Sequence, residues 1–176
     1  MIFLETRRLI LRNVEHKDVS VIFDYRNNPC CARYQRGQTK TFDGICDLVK
    51  KRRQDILGVH APSLLAVALK DTDQLVGEIV VMPNEDTFSL GYTFHYSHHR
   101  KGYAFEALSG LTALLHEQQP EWEFICFTDP DNIPSMALLK KLGFRDMGYL
   151  PRRDSQVFGK WTKPETDAEL AQLTQH

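Results

Sequence analysis

The sequence predicts one α+β domain: a central mixed sheet, mostly antiparallel, of six or seven strands with helices on both faces. Three observations carry this. Apolar runs of strand length recur between turn clusters, three of them in quick succession from Ser63 to Phe94. After that meander the order changes to strand, helix, strand, helix, strand, which makes the sheet mixed and places helices on its faces. A chain of 176 residues with 42% apolar content fits a single domain with a sizeable core.

In chain order, RLILR (Arg8 to Arg12) alternates as a short strand, and Asp18 to Tyr25 spaces Val19, Ile22 and Phe23 as a helix ended by Asn27-Asn28-Pro29. A second helix fits Thr41 to Ile56, with Thr41 as cap, Phe42, Ile45, Leu48, Val49 and Ile56 on one face, and the run Lys50 to Arg53 on its solvated face. Strands follow at Ser63–Leu69, Leu75–Met82 and Phe88–Phe94. A helix at about Tyr103–Glu117, a strand at Phe124–Phe127 and a helix at Pro134–Leu142 come next, with Gly143 as a natural C′ residue. Final strands lie near Met147–Pro151 and Gln156–Trp161. Residues 1–163 read as the domain and 164–176 as a tail, either a short helix or a frayed end.

Bulk properties bound the function. A net charge of −1 offers no electrostatic case for nucleic acid or an anionic membrane as partner. No apolar stretch approaches the roughly 18 residues of a spanning helix, and the charged N-terminal run MIFLETRRLILR is neither signal peptide nor anchor. Cys30, Cys31, Cys46 and Cys126 lack paired CxxC spacing, so reduced thiols, a cytoplasmic location and no metal are expected. Exposed edges and the C-terminal strands leave a homodimer open.

The stretch LGYTFHYSHHRKGYAFEA (Leu90 to Ala107) runs from a strand through a basic, glycine-containing turn into a helix. Free N–H groups, a helix N-terminus and the cations Arg100 and Lys101 meet there, as a bound pyrophosphate requires. Gly102 lets a ligand approach the backbone, and Ala104 is nearly as small. By themselves these residues also describe an ordinary turn. Downstream, Asn132-Ile133-Pro134-Ser135 opens a helix ending in Leu142-Gly143-Phe144. Asn132 and Ser135 are cap residues by type. Their functional reading is hydrogen bonding to an extended, amide-bearing ligand between two splayed strands.

The strand-turn-helix RKGYAFEA followed by NIPSMALLKKLGF resembles the GNAT superfamily of acyl-CoA-dependent N-acyltransferases, over about residues 5 to 161. The opening ETRRLILRNVEHKDV looks like the branch that acetylates the α-amino groups of ribosomal proteins. The resemblance implies a GNAT-like fold in which a splayed strand pair holds CoA, with acetyl-CoA as cosubstrate and an amine as acceptor. It maps His99, Gly102 and Ala104 onto the phosphate-turn pattern, with Arg100 where the branch often has a second glycine. It also implies backbone pairing of Phe94, His95 and Tyr96 with the pantetheine arm and a hydrogen bond from Asn132. Tyr103 lines the turn.

Both usual catalytic positions depart from the family. The helix position that often holds Tyr is Leu139, and the strand position that often holds Glu is Ser89. Acyl transfer to an amine needs a proton acceptor and a donor for the leaving thiolate. An α-amine has a pKa of about 8, so a carboxylate acting through water suffices as base. The candidates are Asp154 and Glu78 as base and Ser135 at the thiol end. Residue type alone reads them as a loop acid, a solvent-facing strand residue and a cap. The expected function is therefore direct acetyl transfer from acetyl-CoA to a primary amine, a protein N-terminus or a small molecule. The alternative is an inactive acyl-CoA-binding module that kept the cradle.

Overall fold

The computed structural model describes residues 1–176, which fold around one mixed sheet with its helices. Its strands are β1 (Ile2–Glu5), β2 (Leu9–Asn13), β3 (Ser63–Leu69), β4 (Leu75–Asn84), β5 (Thr87–Phe94), β6 (Glu123–Thr128), β7 (Arg145–Leu150) and β8 (Ser155–Lys160). The helices are α1 (Val19–Asn27), α2 (Pro29–Ala32), α3 (Phe42–Arg52), α4 (Tyr103–Gln118), α5 (Ile133–Lys141) and α6 (Pro164–Leu173). The spatial order is β1-β2-β3-β4-β5-β6-β8-β7. Every neighbouring pair is antiparallel except β5–β6, which α4 connects in parallel.

Eight strands stand where six or seven were expected. The addition is β1, which folds back on β2 with Ile2 opposite Arg12 and Glu5 opposite Ile10. The helix expected over Thr41 to Ile56 stops at Arg52. Asp55 explains the stop, because its carboxylate accepts the Leu64 N–H at 2.8 Å and its carbonyl accepts Asn13 Nδ2 at 2.8 Å. Those bonds pull the chain off the helix axis onto the sheet, and Ile56 is left 76% exposed. Thr41 caps the helix as expected, accepting the Gly44 N–H.

The continuous apolar run of β3 is buried on both faces. Leu65 and Val67 join the core under α4 and α5, with Leu108, Leu111, Phe88, Phe124 and Phe158. Leu64 and Ala66 face the opposite core with Val19, Ile22 and Tyr25 of α1 and Ile45 and Val49 of α3. Ile125, Met147, Leu150 and Val157 form a third patch, covered by Leu170 and Leu173 of α6. Beyond α6, Gln175 exchanges two main-chain hydrogen bonds with Tyr149 on the edge strand β7, at 2.7 and 2.8 Å. Gly148 makes room for that contact, since a Cβ there would meet Gln175 O at 2.9 Å.

Candidate active site

Strands β5 and β6 pair only at their first residues, Thr87 with Glu123 and Phe88 with Phe124. Beyond Phe88 they part, so the sheet opens into a V in its middle. In the β4–β5 ladder the His95 N–H donates to Val76 O at 2.9 Å. Antiparallel alternation then turns the main-chain groups of Tyr92 and Phe94 away from β4 and into the V. Their carbonyls already have donors. Gln35 Nε2 reaches Tyr92 O at 3.0 Å, while His99 Nε2 and the Cys31 thiol reach Phe94 O at 2.7 and 3.2 Å. The two N–H groups face the same gap.

A cavity of about 250 Å³ sits in this V. Tyr92, Phe127, Asn132 and Ser135 line it, Cys126 and Leu139 form its buried inner wall, and Tyr34, Gln35, Arg36 and Arg153 border it from two loops. Across it, Tyr92 Oη and Ser135 Oγ hydrogen-bond at 2.8 Å. Burial pushes the Tyr92 phenol above its ordinary value, so it stays protonated and neutral. Burial likewise pushes the Cys126 thiol up to about 12, which keeps it protonated. Asn132 caps α5, its Oδ1 accepting the Ser135 N–H at 3.3 Å, and Pro134 sits in the first turn. The Asn132 Nδ2 has no partner in the protein.

At the end of β5 the chain makes the basic turn singled out in the sequence. Arg100 (φ +60°) and Gly102 (φ +79°) are both left-handed, and Gly102 precedes the first residue of α4. The first N–H to bond is that of Glu106, to Gly102 O at 3.0 Å. Those of Tyr103, Ala104 and Phe105 are therefore free at the positive end of a 16-residue helix. The side chains of Arg100 and Lys101 are exposed and join no ion pair. Donors, cations and a cleft that opens beside them fit a ligand with a pyrophosphate and an extended amide arm.

The structure adds residues here that sequence reasoning missed. Arg8 and Thr6, in the turn between β1 and β2, bind Glu106 and the main chain of Lys101. Their signal was Thr6-Arg7-Arg8 just before a strand, but nothing local joins it to a helix 98 residues away. The loop after α2, within the Asn27 to Thr39 stretch that the sequence offers as a wall of the acceptor pocket, also borders the V. Besides the Gln35 bond, Gln38 Nε2 donates to Thr93 Oγ1 at 3.0 Å, and Arg36 donates to the carbonyls of Arg153 and Asp154 and to Asp129 Oδ2.

Other expected residues lie apart from the cradle. His95 Nε2 and Tyr96 Oη both donate to Asp24 Oδ2 at 2.9 Å, so these side chains face α1, and His95 spends its N–H on β4. Glu78 is not solvent-facing; it is 2% exposed. It accepts from Tyr25 Oη at 2.5 Å and from Arg26 Nη2 at 2.5 Å, because Glu78 and α1 meet on the same face of the sheet. Both its oxygens are occupied. Asp154 is 70% exposed, in a left-handed turn between β7 and β8; its Oδ1 accepts from Tyr149 Oη at 2.8 Å and its Oδ2 lies 3.7 Å from Arg36.

A family model described as the acetyltransferase (GNAT) domain matches residues 8–145. An uncharacterized N-acetyltransferase of Bacillus subtilis, YnaD, is 28% identical over 151 residues, covering 85% of this chain and 86% of the relative. A GNAT-family acetyltransferase from Bacillus anthracis superposes with a TM-score of 0.80 at 23% identity, over 91% of this chain and 98% of that one. RimL, a ribosomal L7/L12 alpha-N-protein acetyltransferase solved in complex with coenzyme A, superposes at 0.76 with 13% identity, over 91% and 97% of the two chains.

Proposed function

Because this chain belongs to the GNAT acetyltransferase family, we propose that it transfers the acetyl group of acetyl-CoA directly to a primary amine, in a ternary complex. The observation that carries the reading is the V between β5 and β6, with a phosphate turn at one end and the Tyr92–Ser135 pair inside. The pyrophosphate lies on the free N–H groups of Tyr103, Ala104 and Phe105, with Arg100 and Lys101 adding charge. The pantetheine arm follows the V, using the N–H groups of Tyr92 and Phe94 and the unbonded Nδ2 of Asn132. The thioester then reaches the cavity.

In the reaction the amine nitrogen forms a bond to the acetyl carbon, sheds a proton, and the carbon–sulfur bond breaks. Ser135, held by Tyr92, supplies the hydrogen bond or proton that the departing sulfur needs. This replaces the family's helix tyrosine, whose position is the buried Leu139. Asp154 accepts the amine's proton through water, since solvent reaches it and its neighbours Arg153 and Ser155 line the cavity. Glu78 serves as a positioning residue, because Arg26, which it holds, also donates at 3.1 Å to Thr39 O in the loop after α2, whose Gln35 and Arg36 border the cavity. RimL acts on a protein N-terminus, and a protein N-terminus or a small primary amine is the acceptor class proposed here.

The test is calorimetric titration with acetyl-CoA, combined with thiol release over a panel of N-terminal peptides, polyamines, amino acids and aminoglycosides. Binding with release for at least one acceptor is expected. The apolar wall at Leu139 favours one rival, a module that binds acyl-CoA without turnover. Binding with no release from any amine, and no effect of Asp154→Ala or Ser135→Ala, would establish it instead.

A further inference from the structure

Arg8 sits in the turn between β1 and β2, yet most of its side chain is committed to the start of α4. Its N–H and the Thr6 hydroxyl both donate to Glu106 Oε1 at 2.7 Å, and its Nε donates to Glu106 Oε2 at 2.6 Å. Its Nη1 donates to Lys101 O at 2.8 Å, within the phosphate turn itself. The guanidinium lies over the Tyr103 ring at 4.6 Å. Nη2 alone is unused, and it stands 3.3 Å from where a Gly102 Cβ would be.

Glu106 poses an electrostatic problem that this arrangement solves. It is the acidic residue of the first turn of α4, the turn that presents free N–H groups to an anion. A carboxylate there stabilises a helix with nothing bound, but it repels a diphosphate seeking the same donors. Three donors, one of them the Nε of a guanidinium, close around it from outside the helix. Glu106 loses solvent on burial, which works against its charge, but Thr6 and Arg8 outweigh that and hold it ionised below its ordinary range. An exposed Arg–Glu pair contributes little to stability by itself. Three donors converging on one carboxylate, with the same guanidinium bound to the turn carbonyl, point to a role in the turn.

We propose that Arg8 is a positioning residue of the donor site: it fixes the phosphate turn to the β1–β2 turn, masks the Glu106 carboxylate, and leaves Nη2 facing the pyrophosphate. The inference rests on the donor reading given above. It predicts that Arg8 matters for donors that carry a pyrophosphate and not for those that lack one.

The experiment compares wild type, Arg8→Ala, Arg8→Lys, Glu106→Gln and the double variant Arg8→Ala/Glu106→Gln. CoA affinity is measured by calorimetry, and kcat/KM with acetyl-CoA and with S-acetylpantetheine. Arg8→Ala should weaken CoA binding by roughly tenfold or more, the scale of a charge-assisted bond lost beside an unmasked charge. Arg8→Lys, which keeps the cation and loses the fork, should fall between it and wild type. Removing the carboxylate as well should restore part of the affinity, and S-acetylpantetheine turnover should change less than about twofold. Unchanged CoA affinity in Arg8→Ala and Arg8→Lys overturns the proposal. So does an equal loss with S-acetylpantetheine, which marks a merely structural role, and so does a double variant no better than the single one. Wild-type protein that binds no CoA removes the donor reading itself, and the proposal with it.

Discussion

At the scale of single residues, the site is built from side chains whose alternatives are costly. Gly102 is left-handed at φ +79°, and a β-branched residue there is strained by about 1–2 kcal/mol while its side chain crowds Arg8 and the ligand's approach. Gly102→Val should therefore fold and lose CoA affinity by roughly tenfold or more in a calorimetric titration, and unchanged affinity would remove the cradle assignment. Ser135→Ala and Tyr92→Phe should each lower kcat roughly 10- to 100-fold with little change in the KM for acetyl-CoA, as loss of an acid-side group does. A change confined to KM would place the pair in binding instead. Glu78 predicts a different signature. Glu78→Gln leaves the buried Arg26 uncompensated, which costs about 3–5 kcal/mol and about 6–20 °C in Tm for a chain of this size. A Tm within 2 °C of wild type, by scanning calorimetry, would contradict that role. The turn at Gly102 and the Asn132 cap on Ser135 were legible in the sequence because each is local to one turn or one helix start. Arg8 with Glu106, and Glu78 with Arg26, were not, since each pair is joined only when distant strands and helices pack.

At the scale of elements, β3, β4, β5, α4, β6 and α5 follow from apolar periodicity and turn residues to within two or three residues at each end. Misses cluster where tertiary bonds override local preference. β1 exists by pairing with β2, α3 ends early because Asp55 is needed by Leu64 and Asn13, and α2 is a single turn started by the Asn28 cap. The V was expected through the family resemblance alone, because the parting of β5 from β6 is a property of two strands and no local pattern in either marks it. The C-terminal segment also gains meaning from packing. Leu170 and Leu173 cover the patch of Ile125, Met147, Leu150 and Val157, and Gln175 occupies the exposed edge of β7. Deleting residues 164–176 should lower Tm and expose an apolar patch beside an unpaired strand edge, a template for self-association. Size-exclusion chromatography with light scattering should show concentration-dependent oligomers; a truncated protein as stable and as dispersed as wild type would contradict this covering role.

At the scale of the whole molecule, the groups that titrate below neutral and whose values shift all shift downward. Glu106, Asp73, Asp129 and Asp167 lose solvent on burial, which raises their values, but hydrogen bonds and cations outweigh that and hold them below their ordinary values. Their contribution is complete above the unfolded values, 4.5 for Glu and 3.8 for Asp, and is lost as pH falls through the folded ones. His98 is lowered from 6.5 by burial and then by Lys101, so it too favours the folded state above that value and disfavours it on acidification. Tm should stay level from pH 8 to 7, begin to fall below about 6.5, and drop steeply below about 4.5; a Tm that rises between pH 6 and 4 would contradict these assignments. The global plan, a mixed sheet with helices on both faces, was readable from the order of elements. The proposed function rests on the one place where the plan breaks, between β5 and β6. A crystal structure of the acetyl-CoA complex tests that directly. The account predicts the pyrophosphate on the N–H groups of Tyr103, Ala104 and Phe105, the pantetheine arm between β5 and β6, and the sulfur within hydrogen-bond reach of the Tyr92–Ser135 pair. A ligand bound outside the V, or with its sulfur away from that pair, would contradict it.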